Sequence, residues 1–99
     1  MNEVFESIWD AIEDGPGEAQ NMKLRSAMMI ALRDYIKAEG LTQKQAAKKL
    51  GVTQPRISDL VRGRINLFAI DSLVNMLSAA GLQIEMHIGN AAYDFRVHR

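Results

Sequence analysis

A chain of 99 residues has the length of one small domain, which excludes an architecture of several separate cores. Its 47% hydrophobic and 24% charged residues are those of a folded protein, and with no cysteine it has neither disulfides nor thiolate metal sites, which fits a reducing compartment. The formal net charge of zero hides a segregation: residues 1–22 hold Glu3, Glu6, Asp10, Glu13, Asp14 and Glu18 with no Lys or Arg, so the rest of the chain carries +6. Within residues 41–65, Lys44, Lys48, Lys49, Arg56, Arg62 and Arg64 face only Asp59. This pattern predicts one cationic and one polyanionic partner, or an acidic arm that neutralises the basic patch of its own chain.

In chain order, Val4, Phe5, Ile8, Trp9 and Ile12 form one apolar helical stripe among acids. Gly15-Pro16-Gly17 then reads as a linker, because proline restrains the residue before it and two glycines cost backbone entropy. Asn21 is the expected cap of a helix whose Leu24, Met28, Leu32 and Ile36 repeat every four and whose stop is Gly40. Thr42-Gln43-Lys44-Gln45 is a capping box opening a short helix buried through Ala46, Ala47 and Leu50 and ended by Gly51. Thr53 opens another, with Pro55 in its first turn, Ile57, Leu60 and Val61 inward and Gly63 as its stop.

A further helix is expected to start between Leu67 and Ile70 and to stop at Gly81, carrying Leu73, Val74, Met76 and Leu77. The period then changes to two. Leu82, Ile84, Met86 and Ile88 alternate with polar residues, as do Tyr93, Phe95 and Val97. A turn at residues 89–92 would set Ile88 opposite Tyr93, Met86 opposite Phe95 and Ile84 opposite Val97, with Glu85 facing Arg96 and His87 facing Asp94. The alternative is pairing only across a dimer. In either case a lone hairpin is marginal and leaves open edges, so Ile84, Met86, Ile88 and Phe95 are the expected dimerisation residues.

Residues 41–63 carry the densest functional signal: short helix, glycine turn, short helix, basic exterior. A helix-turn-helix is written this way, because its tight turn needs glycine and its helices approach closely over small residues such as Ala47. Gln54, Arg56, Ser58 and Asp59 are the expected base-contacting residues, since Gln pairs well with adenine and Arg with guanine. Gln43, Lys44, Lys48, Thr53, Arg62 and Arg64 are the expected phosphate contacts.

The run Leu41-Thr42-Gln43 through Leu50-Gly51-Val52-Thr53-Gln54 to Ile57-Ser58 and Gly63 resembles the helix-turn-helix of the Xre/lambda-repressor-like superfamily. The wider stretch, residues 21–82, is similar to Xre-type antitoxins of HigBA/RelBE-like toxin-antitoxin modules. The resemblance implies a dimeric repressor that binds double-stranded DNA at a palindromic operator, autoregulates its operon and neutralises a basic, mRNA-cleaving RelE/HigB-like toxin. The alternative is a stand-alone phage-type or metabolic Xre repressor without a toxin. Phe5, Ile8, Trp9 and Asp10 are candidate toxin contacts, or else pack on their own domain or on the other subunit.

The expected fold is mainly α: a lambda-repressor-like helix-turn-helix domain over residues 18–81, preceded by an acidic helix and linker over 1–17 and followed by a β element over 82–99. Neither catalysis, nor a metal, nor a cofactor is expected. Glu85, His87, Asp94 and His98 share one face of the predicted hairpin, but scattered His and acid residues without a pocket or phosphate loop carry little signal. The longest uncharged run, residues 72–84, is too short to span a bilayer, and the acidic start lacks the marks of a signal peptide, so a cytoplasmic protein is expected.

Overall fold

The computed structural model describes residues 16–89 and 93–99. The expected acidic helix, with Phe5, Ile8, Trp9 and Asp10, lies outside the described residues. Among the described residues four α-helices follow one another, α1 Pro16–Ala38, α2 Gln43–Leu50, α3 Gln54–Val61 and α4 Ile70–Ala79, with a 3-10 turn, Ile65–Leu67, between α3 and α4. Strands β1 Gln83–Ile88 and β2 Tyr93–His98 close the chain as an antiparallel hairpin. The mainly helical fold with a C-terminal β element is thus as expected.

α1 begins five residues before the expected cap. Pro16 and Gly17, read as linker, are its first turn, where a proline has no helical N–H to lose and its fixed φ suits the helix. Asn21 is therefore inside α1, and its Oδ1 accepts a 2.6 Å hydrogen bond from Arg25 Nε one turn later. The four expected glycine stops, Gly40, Gly51, Gly63 and Gly81, all have φ between 62° and 76°.

The core is apolar throughout; among the described residues no buried side chain is polar or charged. Met28, Leu32, Tyr35 and Ile36 of α1 meet Ala46, Ala47 and Leu50 of α2, Ile57 and Leu60 of α3, Phe68, and Leu73, Met76 and Leu77 of α4. Val61, expected inward, is instead 37% exposed, because Ile57 and Leu60 fill the inner side of the two-turn α3 and Val61 lies further round at its end. Val74 is likewise exposed on α4.

The hairpin forms within one chain, and its six residue pairs run from Gln83–His98 to Ile88–Tyr93 in the expected register. Its apolar face is divided. Leu82, Ile84 and Val97 pack against the helical core, so Ile84, expected at a dimer interface, is at least partly engaged by its own subunit. Farther out, Met86 and Ile88 are 39% and 57% exposed. The other end is tied to α1 by Arg99, whose Nη2 donates to Glu39 Oε1 at 2.9 Å and whose guanidinium lies 5.5 Å from the Tyr35 ring centroid.

Candidate nucleic-acid interface

The two short helices are positioned by their caps. Thr42 Oγ1 accepts from the Gln45 amide at 3.1 Å, and Gln45 Oε1 accepts from the Thr42 amide at 2.9 Å. This reciprocal box leaves the first amides of α2, those of Gln43 and Lys44, without intrahelical acceptors, and the side chains of Gln43, Lys44 and Lys48 are exposed. Gly51 turns the chain at φ 70°, and the Val52 amide returns to Ala47 O at 3.0 Å. Thr53 then caps α3 by accepting from the Arg56 amide at 3.3 Å, with Pro55 in the first turn. Buried Ala46, Ala47 and Leu50 lock α2 against Ile57 and Leu60 of α3.

Gln54 and Pro55 are exposed at the leading end of α3, Ser58 and Asp59 are half-buried along it, and Arg62 is exposed just beyond it. The Asp59 carboxylate lies 3.7 Å from Arg64 Nη1, and its backbone carbonyl accepts from the Arg64 amide at 3.1 Å, so this acid is occupied by the residue that follows the helix. Arg56 does not stand free. Its Nη1 donates to Leu67 O at 2.6 Å, and its guanidinium sits 4.1 Å from the centroid of the Phe68 ring.

Two features escaped the sequence reading. Arg25 of α1 also reaches the 3-10 turn, donating from Nη1 to Ile65 O at 3.1 Å and to Phe68 O at 3.4 Å. Its sequence signal was the Asn21–Arg25 spacing of one helical turn at the rim of the apolar face. Ile30, 52% exposed on α1, lines a shallow groove with Phe95 and a neighbouring one with Val61. An apolar belt therefore runs from Ile88 and Met86, across the paired Phe95, to Ile30, whereas the groove between Ile30 and Val61 also carries Arg33, Asp34 and Lys37. On the opposite face of the hairpin, Glu85 Oε1 lies 2.9 Å from His87 Nε2 and its Oε2 lies 3.4 Å from His98 Nε2. The His87 hydrogen bond, then the charges of His87, His98 and Arg96, hold the Glu85 carboxyl below its usual range.

A capped helix, a glycine turn and a second capped helix with an exposed leading end, all on a cationic surface, define a helix-turn-helix domain, the class whose second helix enters the major groove. The chain belongs to the family described as "Helix-turn-helix domain", whose profile matches residues 11–89. No curated protein matches it. Family membership supports a DNA-binding regulator. Among the described residues no helix is long and apolar enough to cross a membrane.

Proposed function

We propose that the protein is a sequence-specific transcriptional repressor that binds a palindromic operator as a homodimer and serves as the antitoxin of a type II toxin-antitoxin module. The observation that carries the DNA reading is the exposed leading end of α3 on a surface where the cations of residues 41–65 outnumber their one acid. Gln54 reads a base, with Ser58 and Asp59 lining the groove beside it. Gln43, Lys44, Lys48, Thr53, Arg62 and Arg64 hold phosphates, the amides of Gln43 and Lys44 adding the positive end of α2. With two recognition helices about 34 Å apart, one turn of DNA separates the half-sites.

The second copy covers the belt from Ile88 and Met86 to Phe95 and Ile30, an apolar surface that neighbouring groups of its own subunit leave open. Sedimentation should give a dimer at micromolar concentration, and Ile88→Asp should give a folded monomer; a wild-type monomer rejects the belt as an interface. The antitoxin reading is supported by the resemblance of residues 21–82 and by the acids of residues 1–22, which suit a cationic nuclease. Deleting residues 1–14 should abolish neutralisation of a toxin encoded by the adjacent reading frame while preserving operator binding and Tm. An adjacent frame without such a toxin favours the stand-alone repressor.

For DNA binding itself, titration of the full chain against duplexes selected from a random-sequence library should show affinity falling steeply with salt. Lys48→Ala, which removes one phosphate contact in each half-site, should reduce the log–log salt slope by about 1.8. A library from which no sequence is enriched rejects the reading.

A further inference from the structure

Arg56 lies at the start of the recognition helix, where a free arginine would be read as a guanine contact. Its surroundings say otherwise. The guanidinium plane has a partner, the Phe68 ring at 4.1 Å, and one of its N–H groups has an acceptor, Leu67 O at 2.6 Å. Phe68 is itself 1% exposed and part of the core, so the ring is a fixed platform and not a passing surface contact. Leu67 closes the 3-10 turn, at the end where carbonyls lack helical donors. The turn is also gripped from α1, through the Arg25 hydrogen bonds to Ile65 O and Phe68 O. Two arginines thus hold three carbonyls of one short connector, and Arg56 is the one that ties the connector to the recognition helix.

The geometry points to Arg56 as a positioning residue of the DNA-binding site: it clamps the leading end of α3 to the Leu67–Phe68 connector, fixing where Gln54 is presented, and does not itself read a base. This rests on the DNA reading above and assigns specificity within it to Gln54. A two-bond guanine contact that kept the ring and the carbonyl would have to be made with the remaining guanidinium N–H groups, a case that single-base-pair variants of the duplex distinguish. Lysine cannot replace this arginine, because a compact ammonium cannot lie flat on the ring while donating along the plane to Leu67 O.

The test uses the full chain and the duplex enriched by the wild type from a random library, together with every single-base-pair variant of that duplex. Arg56→Ala and Arg56→Lys should each weaken all of these duplexes by a common factor of about ten, with the order of preference retained. The salt slope for Arg56→Lys should equal that of the wild type. Phe68→Leu, which removes the ring from a buried residue, should give the same uniform loss, and the Arg56→Ala/Phe68→Leu double variant should lose no more than either single one. In the free protein, NMR should find the Arg56 Hδ and Hε resonances shifted by the Phe68 ring current, a readout independent of DNA and of the stability of any variant. A loss confined to one base pair, retention of affinity by Arg56→Lys, or an unshifted Arg56 side chain overturns the positioning role alone. Failure of the wild type to enrich any duplex overturns the DNA reading, and this role with it.

Discussion

Single residues set the accuracy of the interface. Gly51 holds φ 70° between the two short helices, and a Cβ placed there would meet nothing within 4 Å. The cost of Gly51→Ala is therefore backbone strain without steric conflict, about 1 kcal/mol, and Gly51→Asn should cost less because asparagine tolerates this conformation. Urea unfolding of the two variants checks the order. Glu85 offers a second test. Its pKa is lowered in the fold, so the unfolded chain takes up the proton first as pH falls. Its contribution to the hairpin is present above the ordinary glutamate value of 4.5 and is lost as pH drops through the lower folded value. Carbon-detected NMR titration should place the Glu85 midpoint below 4.5, and His87→Ala should move it upward.

Elements were legible where local chemistry decides them. The Thr42 box satisfies backbone groups within four residues, and the hairpin register follows from two period-2 stretches whose apolar and charged pairs agree in only one alignment. Thr42→Ala should destabilise the protein by about 1 kcal/mol, with hydrogen exchange accelerating first at the Gln45 amide, whose acceptor it removes. The start of α1 was misread because Gly-Pro-Gly breaks a helix interior yet its proline suits a first turn. The 3-10 turn and the hydrogen bonds that the two arginines make to it could not be read. Arg25 finds its acceptors 40 and 43 residues away, and Arg56 finds its own 11 residues on, distances at which no periodic pattern speaks. The type and helix position of Arg56 were visible in the sequence, whereas the Phe68 ring and the Leu67 carbonyl that engage it were not.

At the scale of the whole molecule, a long α1 supports both working surfaces. One side of it packs the core beneath α2, α3 and α4, and another carries Ile30 beside the hairpin. The helix-turn-helix and the exposed apolar residues are therefore built on one helix, so in the proposed dimer a two-fold axis at the belt would set the spacing of two recognition helices. Removing Leu60 tests that dependence. Leu60→Ala should cost about 2–5 kcal/mol and lower the melting temperature and DNA affinity together, since it opens a cavity under α3.

A core that among the described residues holds no polar anchor, and that buries Met28 and Met76, also makes the protein its own recorder of opening. Sulfur is oxidised by dilute peroxide only where the reagent can reach it. With the proposed dimer dissociated by dilution, Met86 should gain oxygen at the rate of an accessible thioether, while Met28 and Met76 wait for the fold to breathe. Peptide mass spectrometry over a time course would then yield two clocks from one sample, surface chemistry and global unfolding. The slow clock should run still more slowly when operator DNA is added, by the factor that ligand binding gives to the closed state.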